Sequence, residues 1–194
     1  MKLYYSPLAC SLADHIALFE AGAEFDSERV DLKTKRTESG GDLADVTPKA
    51  YVPVLVLDDG TVLTENIAIL DWIAATYPSL AVRSPFGRTR TLEALAFIST
   101  EIHRQFKPMW HAGNEEEKAK AARTIADLFE AIADGQAGDF LFGNRPSVAD
   151  FYLFVMLLWA ERFHIEVPGR LADLRSSLRQ RPAAQAAMRR EGLL

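Results

Sequence analysis

One cysteine, Cys10, is all the thiol chemistry the 194-residue chain contains. That excludes an internal disulfide, a CxxC redox pair and a zinc ribbon. No Lys/Arg run is longer than two residues, and 22 basic against 27 acidic side chains leave a formal net charge of −5. A nucleic-acid partner wants a basic surface, so none is expected. Long apolar runs are also missing. The longest, at 151–160, falls well short of the roughly 18 to 20 residues of a membrane span. The opening residues lack the apolar stretch of a signal peptide, so a reducing cytoplasm is the expected compartment. With 11 glycines and 9 prolines the chain is neither collagenous nor of low complexity. No His/Asp/Glu metal spacing and no phosphate-cradling glycine loop occurs, so no metal site is expected.

Two textures are present instead, meeting near position 80. Before it, β-rich and helical runs alternate: strands over 2–5, 25–30, 54–57 and 61–63, with helices over 11–21 and 65–76. Asp59-Gly60 between two apolar runs predicts a hairpin, because glycine accepts the positive φ of a tight turn. After a stretch punctuated by proline, serine and glycine, everything reads as helix. Leu92, Leu95, Ser99, Ile102, His103 and Phe106 share one helical face, and Ile125, Leu128, Phe129 and Ile132 share the next. A third helix starts at Ser147-Val148-Ala149-Asp150, where the Ser147 hydroxyl is expected to accept a backbone N–H one turn on. Shorter helices over 171–178 and 183–190 follow. The expected architecture is an α/β domain over 1–78 and an all-α domain over 88–194.

Cys10 stands between the first strand and the first helix. A helix start stabilises a thiolate and can bring a thiol from about 8.5 into the range of roughly 3.5 to 7.5; the same spot also suits a packed, inert cysteine. Val52-Pro53 precedes an apolar strand, which is compatible with either peptide isomer. Thr64-Glu65-Asn66 opens the helix after the hairpin, reading first as a plain cap and dipole partner and second as a carboxylate able to hold an ammonium. His103, on the apolar face of its helix, suits a core histidine, and His15, His111 and His164 read as structural or exposed.

Together, several segments resemble the bacterial beta-class glutathione transferases. They are Met1-Lys2-Leu3-Tyr4-Tyr5-Ser6-Pro7, Ala9-Cys10-Ser11-Leu12, Val30-Asp31-Leu32-Lys33-Thr34-Lys35, Val52-Pro53, Leu57-Asp58-Asp59-Gly60-Thr61 and Leu63-Thr64-Glu65. Phe97-Ile98-Ser99-Thr100-Glu101-Ile102-His103, Ala149-Asp150-Phe151-Tyr152-Leu153-Phe154, Arg181-Pro182 and Glu191-Gly192-Leu193 extend the likeness over nearly the whole chain.

The resemblance implies a thioredoxin-like N-terminal domain with a cis-proline, a helical C-terminal domain (the glutathione transferase fold), and a homodimer binding glutathione in each subunit. By position, Cys10 faces the glutathione sulfur, Lys35 the glycine carboxylate, and the Val52 main chain the cysteinyl residue. Glu65 and Asn66 receive the γ-glutamyl end, His103 lines the sulfur pocket, and Glu101 matches a residue that reaches glutathione across the dimer. The second substrate would be a small apolar electrophile, with Phe106, Met109, Trp110 and Trp159 available to line its site. Disulfide or peroxide reduction through Cys10 is a further implied activity. Leu8, Tyr51, Asn66 and Ala96 depart from the family's usual Gly, Gln, Gly or Ser, and Asn. A non-catalytic carrier of apolar ligands is the alternative reading, and a glutaredoxin fits less well because its second active-site cysteine is missing.

Overall fold

The computed structural model describes all 194 residues, which divide into two compact units: 1–81 with 180–194, and 82–179.

The first unit is built on a four-stranded sheet of order β2-β1-β3-β4, comprising β1 (Lys2–Tyr5), β2 (Asp26–Arg29), β3 (Val54–Val56) and β4 (Val62–Thr64). β1 pairs parallel with β2 and antiparallel with β3, and β3 pairs antiparallel with β4 as the Asp59-Gly60 turn predicts. Gly60 takes φ +85°, and the Asp59 carboxylate accepts the Thr61 N–H at 2.9 Å. Helix α1 (Ser11–Ala21) follows β1 and is buried continuously from Ser11 to Leu18. The single turn α2 (Leu43–Val46) is capped by Asp42, whose side chain accepts the Ala44 N–H at 2.9 Å. Helix α3 (Asn66–Thr76) packs on α1 through its buried Ile69, Leu70 and Ile73.

The second unit is helical. Helix α4 (Gly87–Phe97) runs into a wide π-type turn at Ile98–Ile102, a tight 3-10 turn at His103–Phe106 and the short α5 (Lys107–Trp110). The single helix expected here is therefore irregular around His103. Pro108 lacks the N–H that would bond the Arg104 carbonyl, and the Lys107 N–H takes that carbonyl instead, tightening the turn. Leu95, Ile98, Ile102 and Phe106 remain fully buried, as their spacing predicts. Next come α6 (Glu115–Gly135), which Asn114 and Glu117 start with a reciprocal capping box, α7 (Val148–Arg162) and α8 (Gly169–Arg179). Every residue of α7 from Val148 to Ala160 is buried, which makes it the central helix of the unit.

The start of α7 carries the expected cap, which Asp150 completes as a capping box. Asp150 Oδ2 accepts both the Ser147 N–H and the Ser147 hydroxyl at 2.7 Å, and Oδ1 accepts the Leu141 N–H at 2.8 Å. The serine hydroxyl donates to the carboxylate and keeps its lone pairs for the Asp150 N–H, so the two residues close the cap reciprocally. Ser147→Ala is expected to cost about 0.5 to 2 kcal/mol, read from the urea midpoint of unfolding.

The expected 88–194 boundary needs correction at its far end. Helix α9 (Pro182–Arg190) belongs to the first unit and packs on α1. Polar contacts fix it there. Arg181 forks onto Glu20, the Tyr5 hydroxyl donates to the Arg190 carbonyl at 3.2 Å, and Arg190 Nε donates to Ser27 Oγ at 3.1 Å. Glu191, just past α9, is buried and accepts from the Leu8 N–H at 3.0 Å while pairing with His15 Nδ1 at 3.0 Å. His15 is thus structural, as expected, with a partner 176 residues away.

Candidate functional site

In the first unit three loops converge on one small apolar cluster of Val30, Leu43, Val52 and Val54, with Ala9 packed against it. Ala9 precedes Cys10, Leu43 follows the Lys35 loop, and Val52 precedes the sheet's central strand β3. The cluster therefore sets the spacing between the candidate residues.

The Cys10 loop is held from both sides. Ser11 Oγ accepts the Ser6 N–H at 3.2 Å, and the Ala9 N–H closes a turn onto the Ser6 carbonyl at 3.0 Å. Leu8, where glycine is usual, has φ +59°. That left-handed conformation costs a non-glycine residue on the order of 1 to 2 kcal/mol, and the Glu191 bond to its N–H helps to hold it. Cys10 itself is half-buried. Burial pushes its thiol up to about 12, and the Asp14 carboxyl adds to the rise, while the backbone N–H groups of Cys10 and Ser11 pull the other way. The expectation of a lowered thiol is overturned: dehydration outweighs the helix start. The resting group is a neutral S–H.

Behind it, Asp14 is fully buried, and burial raises its carboxyl well above the ordinary range. With its amide nitrogen turned inward, Asn66 donates to Asp14 Oδ2 at 2.6 Å and to the Cys10 carbonyl at 3.2 Å. The first residue of α3 is thereby fastened to the Cys10 loop, leaving its main-chain N–H, not its side chain, for a ligand.

Glu65, immediately before α3, has φ +73° and ψ 119°, a conformation few non-glycine residues adopt. Such strain persists only where surrounding structure imposes it, and it gathers at ligand sites. The Glu65 carboxylate receives the Lys49 ammonium and, at 2.5 Å, the Tyr51 hydroxyl. These donors hold it below the usual carboxylate range, so it is ionised at neutral pH. Tyr51, where glutamine is usual, thus has a definite task, and Lys49 is a site neighbour that sequence reasoning missed.

Val52-Pro53 is cis, and no hydrogen bond within the chain engages the Val52 main chain. Lys35 takes φ +62°, with its N–H on the Asp31 carbonyl at 2.8 Å and its own carbonyl accepting the Leu43 N–H at 3.0 Å. Its ammonium pairs with no carboxylate.

In the helical unit, His103 is half-buried between rings. Its Nδ1 lies 2.6 Å from the Tyr152 hydroxyl, and its ring meets Trp159 edge-on at 4.9 Å. Burial holds the imidazole below its ordinary value, hence neutral at pH 7. Trp159 also contacts Phe106 and Trp110, both at 5.3 Å, while Trp110 meets Phe163 at 4.9 Å. Four of these rings make an apolar wall beside the histidine, and the Arg162 guanidinium lies 5.5 Å over Trp110. Glu101 and Ala96 are exposed on their helical segment.

Two family models match the chain: the glutathione S-transferase N-terminal domain over residues 9–76 and the C-terminal domain over 111–190. The chain belongs to the glutathione S-transferase family and is a transferase. It is 38% identical to glutathione S-transferase GstA of Escherichia coli, with the whole of both chains covered. Among solved structures, the bacterial transferase BphK in a ternary complex is 41% identical with a TM-score of 0.93, again covering both chains fully. A sphingomonad glutathione S-transferase complexed with glutathione is 43% identical at 0.92, and the beta-class enzyme of Sphingomonas chungbukensis is 40% identical at 0.90, each over all of both chains.

Proposed function

We propose that this protein is a cytoplasmic, homodimeric, beta-class glutathione transferase that joins glutathione to small apolar electrophiles in detoxification. The observation that carries the reading is the strained Glu65 at the start of α3, beside an unpaired Val52 main chain and fastened through Asn66 to the Cys10 loop. Each feature answers one part of the tripeptide. The Glu65 carboxylate takes the γ-glutamyl ammonium, the Asn66 N–H at the helix start takes its carboxylate, and the Val52 main chain pairs with the cysteinyl residue as an added strand. The Lys35 ammonium takes the glycine carboxylate, and Glu101 of a second copy completes the γ-glutamyl end.

At the sulfur, the protonated Cys10 thiol acts as a donor. Together with neutral His103 it steadies the glutathione thiolate, whose electron pair forms the new carbon–sulfur bond as the leaving group departs with its own. The aromatic wall of Phe106, Trp110, Trp159 and Phe163 receives the electrophile. Reduction through Cys10 needs its thiolate, so it is the slower activity. For the dimer, exposed Phe86 and an apolar groove with half-buried Phe97, Ile132 and Phe142 on its walls offer surface for a second copy.

Calorimetry with glutathione tests the reading. Lys35→Ala and Glu65→Ala are each expected to weaken binding by about 1.5 to 3 kcal/mol, the worth of a charge-assisted hydrogen bond. Unchanged affinity in both variants overturns it.

A further inference from the structure

Tyr152 has no place in the reading above, yet it is nearly inaccessible, at 1% exposure, on the central helix α7. Its hydroxyl sits 2.6 Å from His103 Nδ1. A neutral imidazole carries one proton, so this contact has two forms. Either Nδ1–H donates to the phenol oxygen, leaving Nε2 a bare acceptor, or the phenol donates to Nδ1 and Nε2 carries the proton.

Donor and acceptor strengths favour the second form. A phenol oxygen delocalises its lone pair into the ring, making it a better donor than acceptor, whereas an imidazole nitrogen is a strong acceptor. The contact is short, at 2.6 Å, as suits a strong donor meeting a strong acceptor. Neighbouring rings bear on its plane as well. Trp159 meets His103 at an interplanar angle of 85° and Tyr152 meets it at 82°, edge-to-face contacts that favour this ring plane.

We propose that Tyr152 is a positioning residue that locks His103 in the Nε2–H tautomer, making the outward nitrogen of the histidine a hydrogen-bond donor. This rests on the reading of His103 as a sulfur-pocket residue. A donor there stabilises a thiolate, and the other tautomer would face it with a lone pair. The irregular π and 3-10 turns on either side of His103 fit the same purpose: they let Ile98, Ile102 and Phe106 stay buried while the ring is set against α7.

The test uses the whole protein, 15N-labelled at its four histidines, with long-range 1H–15N correlation spectra and steady-state kinetics with 1-chloro-2,4-dinitrobenzene. In the ligand-free wild type, His103, assigned by loss of its signals in His103→Gln, is expected to show a pyrrole-like Nε2 and a pyridine-like Nδ1. Tyr152→Phe should convert this to a mixed population and lower kcat about tenfold, with KM for glutathione nearly unchanged. In a His103→Ala background the same change should cause no further loss of kcat. A wild-type Nδ1–H tautomer overturns the proposal without touching glutathione transfer, as does an equal loss from Tyr152→Phe with or without His103. Failure of glutathione to bind the wild type overturns the functional reading instead, and the ligand-free spectrum still decides the tautomer.

Discussion

Asp150→Ala is expected to remove about 3 to 5 kcal/mol of stability, a large share of the roughly 5 to 15 kcal/mol that holds a typical domain together. The carboxylate is fully buried and serves three donors on two segments: the Ser147 N–H, the Ser147 hydroxyl and the Leu141 N–H. Alanine leaves all three without a partner and without water. Urea unfolding should show an early transition, and a midpoint equal to that of the wild type would show that water replaces the carboxylate. Titration gives a second readout. Burial raises this carboxyl to about 6, above the value near 3.9 of an unfolded chain. Between those values the folded state binds a proton that the unfolded chain does not. That contribution favours folding at low pH and fades as pH rises through about 6, with an upper magnitude of about 3 kcal/mol. Relative to Asp150→Asn, the wild type should therefore lose stability between pH 4 and 6.

Cys10 gives the second large effect. Iodoacetamide should alkylate it about 30 to 60 times more slowly at pH 7 than an ordinary exposed thiol. A rise from about 9 to about 12 lowers the thiolate fraction roughly 1,000-fold, and the greater nucleophilicity of a more basic thiolate recovers about 1.2 to 1.5 log units. The rate should climb steadily to pH 10 without a plateau, with Cys10→Ser as the blank. A midpoint at or below 8.5 would restore a thiolate at the helix start.

That reversal shows where sequence reading stops. The helix start at Cys10 is a local property, visible from the strand, turn and helix pattern around it. The dehydration that outweighs it arises only once the chain is folded around the thiol. The β3–β4 hairpin follows from Asp59-Gly60 because turn chemistry is contained in two residues. The isomer of Val52-Pro53 is not contained in them, since a proline before a strand suits both forms; only the likeness to a family indicated cis. Lys49, Tyr51 and Glu65 meet across 14 to 16 residues with no periodicity to announce it. The last helix was misplaced for the same reason: its amphipathic pattern shows that one face is covered, not that α1 covers it.

The return of 180–194 to the first unit also sets an order of events during synthesis. Residues 1–81 leave the ribosome first, but α9 and Glu191, which close over α1 and hold the Cys10 loop, follow only after all of 82–179. At about 5 to 20 residues per second, the interval is roughly 5 to 20 s. The helical unit, second in sequence, is the first whose parts are all available. The first unit waits as an open sheet with an uncovered helix, and a ribosome pausing within α8 would prolong that exposure.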